Sequence, residues 1–214
     1  MVQIRQLSLG PLPTNCYLVG CEKTFQAAVI DPAWDGKSIA AMADNDGWDI
    51  SHILLTHTHF DHVGGLMDLK EATGAPIYAH PDSVSMLQNT TMSAAFLGLK
   101  VAAPPPPDKM LEEGQIISVG ELELHVLYTP GHAPGHVCFY LPEYRVVFDG
   151  DLLFQDGIGR TDLPGGNYDE MMESIKTQML VLPDETQVFP GHGSATTIAD
   201  EKMGNPFLTE LLDD

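Results

Sequence analysis

From Thr56 to His62 the chain reads "THTHFDH", three histidines and an aspartate in seven residues, directly after the apolar run Ile53-Leu54-Leu55. On an extended loop His57 and His59, two apart, project to the same side and can hold one metal ion. Asp61 and His62 are offset by the turn into the following helix and suit a second ion close by. Imidazole together with carboxylate favours zinc, iron or manganese over calcium or magnesium. Three later stretches add groups of the same kind. "TPGHAPGH" delivers His132 at a strand end, where Pro130-Gly131 lets the backbone turn sharply. "VVFDGDLLF" ends a β-rich run with Asp151, whose two oxygens could bridge two cations, and "VFPGHG" presents His192 with glycine on both sides. Seven candidate ligands, all on loops after strands, are hard to explain by packing.

The elements that must position these groups follow from pattern and punctuation. Val2 to Leu9, Cys16 to Val19 and Ala27 to Ile30 read as strands separated by the turn signals "GPLPTN" and "DPAWDG". A helix is expected from Lys37 to Asp46, stopped by Gly47. The apolar run "HILLTH" is a buried strand leading into the motif, and "GGLMDLKEATG" a helix leading out of it. A strand "APIYAH" and a helix "PDSVSMLQN" come next. From Thr90 to Pro107 periodicity is lost, and the stretch reads as a long connection ending in four prolines. The second half repeats the rhythm: strands "GQIISVG", "ELELHVLYT", "HVCFYL" and "YRVVFDGD", a helix from Asn167 to Leu180, and the strand "TQVFP". Strands before helices in each half predict an α/β fold, a four-layer αββα sandwich of two mixed β-sheets flanked by helices. It is expected as one domain over residues 1–214, in two pseudo-repeated halves, about 1–107 and 108–214.

Composition narrows the partners. The chain has 214 residues, 43% hydrophobic and 19% charged, ordinary values for one globular domain. Thirty acidic against ten basic residues give a formal charge of −20, a field that repels nucleic acid and anionic membranes and leaves a small molecule as the expected partner. Cys16, Cys21 and Cys138 are an odd, widely spaced set, better suited to a reducing compartment than to a disulfide framework. With no run of about 18 apolar residues and no charged leader before an apolar core, the reading is a cytoplasmic protein.

The order H-x-H-x-D-H, then a lone histidine, an aspartate and another histidine, resembles the metallo-β-lactamase superfamily of metallohydrolases across nearly the whole chain. "GIGRTD", Gly157 to Asp162, and the ending "PGHGSATTIADEKMGNPFL" resemble its glyoxalase II group, especially the short bacterial members. The resemblance implies two divalent metal ions, with zinc the first expectation and iron or manganese alternatives. His57, His59 and His132 would hold the first, Asp61, His62 and His192 the second, and Asp151 would bridge them. Two such cations can lower the pKa of a shared water toward neutrality and stabilise the oxyanion formed on attack at a carbonyl. The implied activity is hydrolysis of a hydroxyacyl thioester such as S-lactoylglutathione, with Asp61 also orienting the water. A thiolate of pKa near about 8.5 leaves without much help from a general acid.

The departures bear on substrate. The longer glyoxalase II enzymes carry a C-terminal segment with basic residues; here no separate C-terminal substrate domain is expected, and Gly193 and Ser194 stand where those enzymes place a tyrosine after the last ligand. Arg160 falls at their basic substrate contact, but Asp162 replaces a tyrosine and offers Arg160 an ion pair instead. Asp151 occupies a position that is typically cysteine in exported zinc lactamases, which argues against a β-lactamase. The competing readings are a persulfide dioxygenase with one iron at the first site, and a hydrolase of another ester, lactone or phosphodiester. The "PGHG" around His192 favours hydrolysis. His136, four residues after His132, could support the site, and His52, His80 and His125 read as structural.

Overall fold

The structure is a computed structural model in which residues 1–209 are described. One sheet contains β1 (Val2–Leu9), β2 (Thr14–Cys21), β3 (Gln26–Ile30), β4 (Asp49–Leu54), β5 (Ile77–Ala79) and β6 (Lys109–Met110), ordered as they occur in the chain. The β1–β2 and β2–β3 pairs are antiparallel and the rest parallel, so the sheet is mixed. The second contains β7 (Ile116–Val119), β8 (Leu122–Tyr128), β9 (Val137–Leu141), β10 (Val146–Gly150), β13 (Gln187–Pro190) and β14 (Thr196–Thr197), with β13 inserted in parallel beside β10. Between β10 and β13 lies a small hairpin, β11 (Leu153–Phe154) and β12 (Gly157–Ile158).

Alternation along the strands builds three apolar layers. Leu18 and Val29 face outward from the first sheet, onto Ile39 and Ala43 of α1 (Gly36–Asp46) and Leu66 and Leu69 of α3 (Leu66–Thr73). Their neighbours Tyr17, Val19, Ala28 and Ile30 face the other way and meet Phe139 and Phe148 between the sheets. Cys138 and Val147, again one residue along, face the far side and meet Met171, Met179 and Ile198. Strands buried on both faces carry the near-continuous apolar runs read from the sequence, and burying each phenylalanine contributes about 1.5–3 kcal/mol. The result is the four-layer αββα sandwich, helix on sheet on sheet on helix.

Several expected boundaries change. β2 extends two residues beyond Cys16–Val19 at each end, because the polar Thr14 and Asn15 pair as part of the strand. The stretch from Thr90 is not wholly irregular: α5 (Thr90–Phe96) follows α4 (Val84–Gln88), exposing Met92 and Phe96, so it lacks an apolar face legible as amphipathic. The helix expected from Asn167 to Leu180 divides into α6 (Tyr168–Ser174), capped by the Asn167 side chain, and a π-helical turn, Ile175–Met179. A further helix, α7 (Ile198–Gly204), follows β14. No helix among the described residues is long and apolar enough to cross a membrane.

Candidate metal centre

All seven sequence-nominated ligands meet at one end of the sandwich. β8, β10 and β13 run in the same direction, so the loops that leave them carry His132, Asp151 and His192 to the same edge. His57 and His59 follow β4, and Asp61 and His62 lie in the single turn α2 (Phe60–Val63). Backbone bonds join the two sheets here: Val137 donates to the Thr56 carbonyl at 2.8 Å and Asn15 to the Gly191 carbonyl at 2.7 Å. The Asn15 side chain adds bonds to the carbonyls of Pro190 and Gly193.

Two triads result, His57–His59–His132 and Asp61–His62–His192, each with its ligand atoms within 4.8 Å of one another. Asp151 lies between them. Its Oδ1 is 3.4 Å from His62 Nε2, while Oδ2 is 3.5 Å from His132 Nε2 and 3.7 Å from His192 Nε2. Asp61 Oδ2 accepts from Thr14 Oγ1 at 3.1 Å and lies 3.2 Å from His192 Nε2.

Hydrogen bonds behind the rings assign their tautomers. The Thr56 hydroxyl donates to Asp31 Oδ2 at 2.6 Å, so its oxygen accepts from His57 Nδ1 at 3.0 Å. His62 Nδ1 donates to Asp31 Oδ2 at 2.9 Å, and His132 Nδ1 to the Arg160 carbonyl at 2.7 Å. With Nδ1 committed as a donor, each ring turns Nε2 into the site, the nitrogen left to bind a metal once it is unprotonated. His57 Nε2, His62 Nε2 and Asp151 Oδ1 are buried without a hydrogen-bond partner. Leaving such atoms unsatisfied costs about 1–3 kcal/mol each, and a cation is the partner their convergence fits.

The electrostatics agree. Burial and surrounding imidazoles push His57 well below the ordinary histidine value and His59 down to about 4. Burial works against a charge on His62 as well, yet Asp151, Asp61 and Asp31 raise it well above the usual range. His192 is raised, against its own burial, by its bond to Asp61 and by Asp151. Burial opposes ionisation of Asp61, but His62 and His192 hold it at about 2; Asp151 is lowered in the same way. The carboxylates are thus ionised at neutral pH and demand positive charge nearby.

Arg160 is at the rim, 67% exposed, with its carbonyl on His132 and its guanidinium bonded bidentately to Asp162 at 2.9 Å twice. Asp31 escaped the sequence reading altogether. It lies in the "DPAWDG" turn, and only its spatial contact with Thr56 and His62 reveals it. Thr14 and Asp149 were equally silent: Asp149 is wholly buried and raised well above the carboxylate range by that burial, accepting from Leu153 N at 2.9 Å.

An αββα sandwich with a His/Asp cluster suited to metal at one edge defines a metallohydrolase-type architecture. Residues 9–192 match the Metallo-beta-lactamase superfamily, and the chain belongs to that family. Hydroxyacylglutathione hydrolase GloC of Haemophilus influenzae is 38% identical over 91% of this chain and 92% of its own. The crystal structure of BLEG-1 B3 metallo-beta-lactamase superposes with a TM-score of 0.91 at 35% identity, covering 97% of this chain and 100% of the other. TTHA1623 in a di-iron-bound form gives 0.88 at 43% identity, over 95% and 100%. The chain is accordingly a hydrolase of the metallo-β-lactamase fold, with residue clusters suited to binding metal ions.

Proposed function

We propose that the protein is a dinuclear metal-dependent thioesterase that hydrolyses a hydroxyacyl thioester of the S-lactoylglutathione type. The observation that carries this reading is the place of Asp151, with one carboxylate oxygen toward His62 and the other toward His132 and His192. His57, His59 and His132 would hold one ion, and Asp61, His62 and His192 the other. When bound, such ions supply Lewis acidity to a water and to the substrate carbonyl. The chain's own part is positioning. Asp31, Thr56 and the Arg160 carbonyl hold the imidazoles in their donor tautomers. Thr14 Oγ1 fixes Asp61 Oδ2, which can accept a hydrogen bond from the attacking water and orient it. A thiol of pKa near about 8.5 leaves as the thiolate, so the site needs no separate acid. Sequence similarity to GloC supports the acyl-thiol class of substrate.

The test is a panel of zinc, iron and manganese forms assayed on S-lactoylglutathione, glutathione persulfide, a lactone, a phosphodiester and, because of the likeness to BLEG-1, a β-lactam. Two ions per chain and fastest turnover of the thioester support the proposal. One iron per chain with oxygen consumption on the persulfide would replace it with a dioxygenase, and full activity after complete chelation would end it.

A further inference from the structure

Beside the seven nominated ligands stands an eighth polar side chain, His136, which touches neither triad as a donor. Its side chain is wholly buried, with its ring 5.3 Å from that of His57. Both nitrogens are engaged elsewhere. The backbone N–H of Asp151 donates to His136 Nε2 at 3.2 Å, and His136 Nδ1 is 2.9 Å from Thr129 Oγ1. A backbone amide can only donate, so Nε2 must be bare and Nδ1 must carry the proton. The Thr129 oxygen then accepts, leaving its own hydrogen for Cys138 Sγ at 3.3 Å. The ring is therefore a neutral, fixed tautomer with no lone pair left for a metal.

Its location explains why the chain spends a histidine there. Asp151 follows Gly150, whose backbone is left-handed at φ 54°, and a Cβ at Gly150 would come within 2.8 Å of His136 Nε2 and 2.5 Å of Thr56 Oγ1. His136 thus sits hard against the turn that aims the Asp151 carboxylate. The segment bearing it is itself pinned, because Thr129 N donates to the His136 carbonyl and the next residue, Val137, donates to the Thr56 carbonyl.

We propose that His136 is a positioning residue: by accepting from the Asp151 amide it sets the direction in which the Asp151 carboxylate projects between the two triads. The role rests on the dinuclear reading above, since it is toward two cations that the carboxylate would be aimed. Two substitutions separate acceptance from packing. His136→Gln places an amide oxygen near the position of Nε2 and keeps the acceptor, whereas His136→Asn reaches only the Nδ1 position and loses it.

Zinc affinity, measured by competition with a chromogenic chelator on the full chain, should fall about 10–100-fold in His136→Asn and stay within about threefold of the parent in His136→Gln. Equal losses in both variants would mean simple packing and overturn the proposal. Nitrogen-15 spectra of the imidazoles in the unsubstituted metal-free chain give a second readout that needs no variant to fold. The Nδ1-protonated tautomer at His136 is expected, and the Nε2-protonated one would also overturn it. If the unsubstituted chain bound no zinc, the dinuclear reading would fail while the tautomer still reported on the Asp151–His136 bond.

Discussion

Asp31 Oδ2 lies 2.9 Å from His62 Nδ1, and both side chains are almost wholly removed from solvent. The same carboxylate takes the Thr56 amide at 2.8 Å and the Thr56 hydroxyl at 2.6 Å, so one residue orients His62 directly and His57 through Thr56. Asp31 has φ 50°, a backbone region that asparagine tolerates better than other non-glycine residues. Asp31→Asn should therefore keep the turn but lose the negative charge behind both rings. Metal affinity is expected to drop about 10–100-fold, read by chelator competition, with far-UV circular dichroism intact. Parent-like affinity would show the bond to be incidental.

Gly191 tests how closely the two sheets must approach. A Cβ there would lie 2.3 Å from Asp151 Oδ1 and 2.5 Å from His62 Cε1, so an added methyl displaces the carboxylate between the triads and a ring of one of them, or forces the backbone to move. Gly191→Ala should cost roughly 1–3 kcal/mol of stability and reduce bound metal below two ions per chain by elemental analysis. Unchanged stoichiometry and melting temperature would contradict the packing described.

The metal-free chain should be most stable near neutral pH. His57, His59, His132 and His136 are lowered by burial, the last to about 3. The unfolded chain takes up protons at these positions near pH 6.5, before the native state does, so their contribution is lost as pH falls below about 6.5. His62 and His192 are shifted the other way, up, by Asp61 and Asp151. Their contribution is complete below about 6.5 and is lost as pH rises through their folded values. Urea denaturation of chelator-treated protein from about pH 5 to about pH 9 should give a maximum between the two arms. A monotonic profile would show that one set of shifts is wrong in sign.

Asp162 should govern which thioesters are used. It engages the guanidinium of Arg160, a residue that also holds a nominated ligand through the bond of its carbonyl to His132. An exposed pair of this kind is worth at most about 1 kcal/mol, so a substrate carboxylate competes with it at little cost. Asp162→Asn should raise kcat/KM for S-lactoylglutathione relative to a thioester of an uncharged thiol several-fold, through KM. An unchanged ratio would remove Arg160 from substrate recognition.

The site was more legible than the surroundings that tune it. Seven nominated groups announced themselves because histidine and aspartate beside glycine at strand ends is a local pattern, and the structure gathers all seven at one edge. The fold was legible for a similar reason: strands such as Thr14–Cys21 and Val146–Gly150, buried on both faces, leave continuous apolar runs. Asp31 and Thr14 act across sequence separations with no local signature, and Asp31 sits in a turn where aspartate is ordinary, whereas His136 was legible from its place four residues after His132 but its bond to the Asp151 amide was not. The helix Thr90–Phe96 was missed because its exposed Met92 and Phe96 blur the face that Thr90 and Ala94 bury.

The joining of two sheets at one edge also orders events during synthesis. A ribosome that has released only the first sheet has exposed His57, His59, Asp61 and His62, four donors without the loops that complete either triad. His192 emerges 135 residues after His57, and the Asn15 amide has no Gly191 carbonyl to bind until then. Any ion captured early is held by an open, partial set and can exchange. In the dinuclear centre proposed above, secure loading would wait for the strand that precedes His192, and the identity of the ion would be settled by what the finished chain meets and not by what the growing chain meets.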